Sequence, residues 1–280
     1  MNPAILLGLT AAVGWGAAVL LEGAGARKVG YVKSSFWFSV ICTVFGAFVA
    51  AALRDELVLA DVAWGALAGV FSILGISPLH KAMQDGQFAI AVPISAAGTA
   101  CITALWGLIA GDPISAVSWF AIAIGIIGIA VVSWPDEPVE YTHRLTPALL
   151  SVISAIGFGG AFIMYDQTSK ASGLWPLVPG YGVTTLVLLP AFLLSKSRRL
   201  TRTVARTILP ASIMSLLATA AFLTATRASS VAVASVLGSL YPAVTAIMAW
   251  AIFNEGVSKR RAFGVVLTIV CPGLLAVGSL

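Results

Sequence analysis

The residues able to do chemistry are few, and most fall in two matching stretches. From Arg227 to Glu255 the chain reads RASSVAVASVLGSLYPAVTAIMAWAIFNE. That run is long enough to cross a bilayer as helix, yet it carries Ser230, Ser235, Gly238, Ser239, Tyr241, Pro242 and Thr245. Subtracting 143 from each number lands on Gln84–Asp112, where Pro93, Ser95 and Thr99 stand. Hydroxyls both donate and accept hydrogen bonds without carrying charge. A proline within a helix frees a backbone carbonyl and kinks the chain, and in an apolar surrounding such a carbonyl is a ligand in waiting. Ser95, Thr99, Ser235, Ser239 and Tyr241 are therefore the polar groups expected to face a shared cavity, with Pro78, Pro93 and Pro242 as the kinks or gating points. The chemistry is recognition rather than bond making. No Ser/His/Asp set is placed for catalysis, and the three cysteines, Cys42, Cys101 and Cys271, lie inside apolar blocks with a spacing that fits no metal site. No metal or cofactor is expected.

Two aromatic residues stand apart. Trp15 lies between Gly14 and Gly16 well inside the first apolar block, and Phe158 lies between Gly157 and Gly159 at the corresponding place of the second half. The glycines let neighbouring helices approach closely. The rings are either core packing or two aromatic walls of a cavity. The other seven tryptophans fall near block ends, as in an interfacial belt. His80 follows Pro78 at the end of a block, where an imidazole is either solvated or a gate and binding residue. The eleven acids all read as helix-end or loop residues, and no Lys or Arg stands mid-block. An acid kept inside a membrane is kept for function, so its absence points to a ligand that is neutral or zwitterionic and moves down its own gradient.

The elements that position these residues follow from composition. Of 280 residues 59% are hydrophobic and 10% charged, against roughly a quarter charged in a soluble domain. Continuous apolar runs exclude a β-barrel, whose strands alternate. The fold class is an all-α polytopic membrane protein of ten transmembrane helices. They are expected at about 4–21, 34–53, 62–79, 87–110, 114–133, 147–165, 175–194, 208–226, 229–253 and 262–280. The 143-residue register persists along the chain: Gly14-Trp15-Gly16 falls on Gly157-Phe158-Gly159, Ala68 and Ser72 on Ala211 and Ser215, and Phe120 on Phe263. This implies a duplicated unit: residues 1–134 the first five-helix repeat, 135–146 a connecting loop, and 147–280 the second.

Five is odd, so the second copy enters from the opposite side. Alternate loops hold 13 of the 16 Lys and Arg residues, leaving only Arg54, Lys170 and Arg227 for the other face. Basic loops stay in the cytoplasm, so both termini are expected in the periplasm and the connecting loop in the cytoplasm. Inverted repeats place a ligand site between the two copies near the midplane. The small-residue spacing of Ala121, Gly125, Gly128 and Ile129 suggests helix packing, compatible with a monomer or a weak homodimer.

The Gly-Trp-Gly of the first helix, Ala225–Ser230 (ATRASS) and the Asn254-Glu255 ending resemble patterns of the drug/metabolite transporter superfamily, EamA type. The resemblance covers the whole chain and is similar to exporters of aromatic and other neutral amino acids. It implies a location in the inner (cytoplasmic) membrane, a central cavity lined by both halves, alternating access, and a small-molecule substrate with no nucleic-acid partner. Export of hydrophobic drugs or quaternary amines is the neighbouring alternative. A membrane-embedded enzyme or a lipid flippase is the alternative from another class.

Overall fold

The computed structural model describes residues 3–84, 88–112, 114–134, 145–195, 198–199, 201–253 and 258–278. Among the described residues the regular structure is entirely helical, in eleven segments. They are α1 Pro3–Val29, α2 Tyr31–Leu53, α3 Leu59–Gln84, α4 Phe88–Ala110, α5 Ala116–Ser133, α6 Leu145–Asp166, α7 Leu177–Leu193, α8 Arg202–Ala228, α9 Val231–Gly238, α10 Tyr241–Phe253 and α11 Lys259–Gly278. Among the described residues five stretches are long and apolar enough to cross a membrane: Pro3–Gly23, Tyr31–Leu53, Leu59–Leu79, Leu149–Asp166 and Val204–Ala228. Helix starts have local causes. The side chains of Ser115, Thr201 and Ser230 each accept a first-turn amide, from Ser118, Val204 and Val233 respectively, satisfying a donor that the helix itself leaves open.

The helices pack in a pattern that survives exchange of the two halves. α1 lies along α8 and α6 along α3; α4 lies along α6 just as α9 and α10 lie along α1; α2 with α7 and α5 with α11 pair across the exchange. The glycines of the two Gly-aromatic-Gly motifs make the close crossings. A Cβ on Gly14 would come 2.8 Å from the Ala218 methyl, and one on Gly157 would come 2.1 Å from the Gly75 amide nitrogen. These are the same contact, since 14 and 218 become 157 and 75 under the 143-residue relation. Gly16 likewise abuts Val244 of α10, and Gly159 abuts Ile102 of α4. The outer surface repeats too: Phe120 and Phe263 are 62% and 58% exposed.

Three expectations are corrected. The stretch 229–253 is two helices, not one. α9 closes at Gly238 and α10 opens at Tyr241, so Pro242 is no mid-helix kink. It sits in the first turn of α10, where its missing N–H costs nothing. α1 continues two turns beyond its apolar block to Val29, so Glu22 lies inside a helix rather than at its end. α8 begins at Arg202 instead of 208, which makes Arg202 and Arg206 helical. In both of the latter cases charged residues read as loop signals, although a helix continues readily through long charged side chains.

Candidate functional site

The break between α9 and α10 is the local feature from which the site is built. Ser239 N–H bonds to the Ser235 carbonyl at 2.8 Å and Leu240 N–H to the Leu237 carbonyl at 3.2 Å, while the Leu240 carbonyl starts the next helix by accepting from Ala243 at 3.0 Å. The backbone is thus passed from one helix to the other within two residues. Trp15 covers the break: a Cβ on Gly238 would lie 2.7 Å from its Cζ3. Ser235 and Ser239 are buried. The Ser235 hydroxyl has no hydrogen-bond partner among the described residues, an expensive condition for a buried polar atom. Tyr241 packs at once against the Ile5–Ala12–Leu237 core and against Leu79 and Val92, joining the two repeats.

Aromatic residues form the wall on one side. Trp15 stacks on Phe162 with centroids 5.3 Å apart and planes 9° from parallel, and both rings contact Phe222, at 5.6 and 4.2 Å. Trp15 Nε1 donates to Thr219 Oγ1 at 3.3 Å. Thr219 donates its own proton to the Ser215 carbonyl at 2.8 Å, so the Tyr181 hydroxyl, 2.9 Å away, is the donor in their contact. Helices α1, α7 and α8 meet at that one hydroxyl.

The structure brings Trp15, Ser235, Ser239 and Tyr241 together. Phe158 stands one turn from Phe162 in α6, packed against Gly75 and into the cluster that includes Tyr241. The ring stacked on Trp15 is therefore Phe162, not the repeat partner Phe158 that the sequence suggests. Ser95 and Thr99 lie in the α4–α6 seam. Ser95 Oγ is 2.7 Å from Ser154 Oγ, and Thr99 Oγ1 reaches the Ala155 carbonyl at 3.5 Å; both are buried. Pro78 is inside α3. α4 runs unbroken through position 93. The side chains of His80 and Pro93 lie outside the described part of the structure, as do Asn254, Glu255 and the loop 135–144. Phe162, Thr219, Phe222 and Tyr181 were missed in the sequence. The i, i+4 spacing of Phe158 and Phe162 was the one available signal.

Charged groups gather away from the break. Glu22 accepts from Ser35 Oγ at 3.3 Å. At the end of the bundle where α2 meets α3, the turn 54–58 is bonded to the turn 167–176 of the other half. Asp55 Oδ2 accepts Leu174 N–H at 2.8 Å, and its carbonyl accepts Trp175 Nε1 at 2.9 Å. Glu56 N–H bonds to the Ala171 carbonyl at 3.1 Å. Asp61 accepts both the amide of Ser169, at 3.1 Å, and its hydroxyl. Arg227 Nη2 donates to Thr168 Oγ1 at 3.2 Å, within the field of Asp61 and Asp55. Asp112, in the turn closing α4, completes this acidic end; burial raises its carboxyl above the usual range.

Comparison with known proteins decides what this assembly is. The sequence model of the EamA-like transporter family matches over residues 2–134 and again over 145–275. The chain belongs to that family. A solved structure described only as "Crystal structure of protein" superposes with a TM-score of 0.78, covering 98% of this chain and 96% of its own, at 13% identity; at that identity it shows a shared fold. No curated protein matches. The protein is thus a multi-pass membrane transporter built from two EamA repeats, and the helix break lies where those repeats meet.

Proposed function

We propose that this EamA transporter exports neutral amino acids with aromatic or hydrophobic side chains, and related metabolites, across the inner membrane by alternating access of its two repeats. Its basic ends face the cytoplasm and both termini the periplasm. The observation that carries the reading is the α9–α10 break. A buried, unspent Ser235 hydroxyl and a short run of interrupted backbone lie beside Trp15 and Tyr241, without a fixed charge among the described residues of α9 and the break. Such a place suits a zwitterion with an apolar side chain: hydroxyl and backbone groups for its ends, and aromatic surface for its body. Stacking there is worth about 0.5–1.5 kcal/mol beyond burial, roughly a two- to twelvefold preference.

Counterflow of labelled amino acids into liposomes carrying the purified protein tests this. Aromatic and large aliphatic amino acids should exchange, and acidic or basic ones should not. Trp15→Ala should reduce exchange of phenylalanine more than that of alanine, with the protein still inserted and monodisperse. An equal loss for both would assign Trp15 to packing. A reporter fused after Leu280 should be active only in the periplasm; cytoplasmic activity would reverse the orientation. Glu22, carried within an apolar span, is the specific observation that favours the second reading, export of hydrophobic cations coupled to protons. That reading gains if exchange of quaternary amines exceeds that of amino acids and is abolished in Glu22→Gln.

A further inference from the structure

The relation between the repeats gives each position at the acidic end a twin at the basic end. Gly173 and Gly30 are such twins, 143 residues apart. Both have positive φ, +49° and +85°. At Gly173 the space is filled: a Cβ there would lie 1.9 Å from Asp55 Cγ. At Gly30 nothing among the described residues lies within 4 Å. The twin of Asp55 is Arg198, which turns back onto the Leu193 carbonyl. No carboxylate crosses to the Gly30 turn from that position.

Two residues before this open turn, Lys28 joins Arg202, Arg206 and Thr207 around a cavity of about 180 Å³. That is room for a phosphate group and a few waters. Three cations around one cavity repel one another, and an anion relieves all three. The surface next to it is apolar. Arg202, Arg206 and Leu209 fall at i, i+4 and i+7, one stripe of α8. Leu209 is 43% exposed, as are Leu193 (46%) and Leu194 (87%) at the close of α7 on the same end. A soluble phosphate would use only the cations, whereas a phospholipid would use the cations and the leucines together.

We infer that the cavity between the ends of α1 and α8 binds the headgroup phosphate of an anionic phospholipid, which supplies at the basic end the negative charge that Asp55 and Asp61 supply at the other. The cradle is Lys28, Arg202 and Arg206, and the acyl chains run down the Leu209 stripe.

The test is titration of the intact detergent-solubilised protein with phosphatidylglycerol, read as bound lipid by native mass spectrometry. Phosphatidylcholine serves as the neutral lipid and inorganic phosphate as the soluble source. Phosphatidylglycerol should bind in preference to phosphatidylcholine. Each cation removed should weaken it about fivefold, so Arg202→Gln with Arg206→Gln should cost about 25-fold. The pair Arg199→Gln with Lys259→Gln, basic residues outside the cavity, should change it less than twofold. Should the double variant aggregate, Arg206→Gln alone must still give the fivefold loss. Equal binding of the two lipids overturns the inference, as does an equal loss in the Arg199/Lys259 pair. Displacement of the lipid by millimolar inorganic phosphate would reassign the cavity to a soluble anion and overturn it too.

Discussion

The acidic and basic ends of the bundle share a backbone plan and differ in what fills it. At the Gly173 turn, carboxylates from one repeat accept amides and a hydroxyl from the other. At the Gly30 turn the twin of Asp55 is Arg198, whose guanidinium folds back onto the Leu193 carbonyl, and the twin of Asp61 is Val204. A guanidinium has only donors to offer, so it cannot take the place of a carboxylate that accepts amides. An inverted repeat can therefore keep its geometry while its two twin turns are filled differently.

The sharpest way to break this comparison is to substitute the twin glycines. Gly173→Ala should destabilise strongly, about 3 kcal/mol, because it adds left-handed strain and expels the Asp55 carboxylate from its donors. Gly30→Ala should show only the strain, about 1–2 kcal/mol. Thermal midpoints in detergent measure both, and equal losses would mean the two turns are alike. Next in size, Asp55→Ala should cost about 1–3 kcal/mol by leaving the Leu174 amide unsatisfied, while its twin Arg198→Ala should stay within about 0.5 kcal/mol. A smaller loss, about 0.5–1.5 kcal/mol, is expected for Thr168→Val, which removes the acceptor of Arg227. The smallest effect concerns Asp112. Burial raises its carboxyl in the folded state, so the penalty grows as pH rises through that value and vanishes below the unfolded one. Asp112→Asn should thus raise the midpoint slightly at pH 8 and leave it unchanged at about pH 2.5, below the unfolded value.

The helical class and the duplication were legible because apolar blocks and a constant 143-residue offset are long-range signals that no single residue can erase. Gly14 and Gly157 were legible for the same reason, since their positions in the register predicted their close crossings. The break at Ser239–Leu240 was not. Its residues are small and polar, as are many in membrane helices, and Pro242, the obvious breaker, belongs to the first turn after it. Phe162 escaped because the repeat relation pointed to Phe158, and a ring's partner depends on side-chain direction as well as register. Trp175 read as an interfacial residue, yet its indole N–H donates to the Asp55 carbonyl across the repeat boundary. Cross-repeat bonds of that kind leave no periodic trace.

The two glycine crossings have different histories open to them. Descent from a duplicated unit gives each position a twin, and at the α1–α8 crossing one partner of Gly14 is already an alanine, Ala218, where the twin has Gly75. That crossing holds one methyl, on Ala218; moved to position 14 it would stand 3.0 Å from the Met214 carbonyl oxygen, so the exchange asks the backbone to give by a few tenths of an ångström. The α3–α6 crossing sets Gly157 directly on the Gly75 backbone and has no methyl to trade. Position 157 is held to glycine by backbone and position 75 by the Phe158 ring, 2.7 Å from a Cβ there, while 14 and 218 need only the smaller adjustment to exchange their methyl.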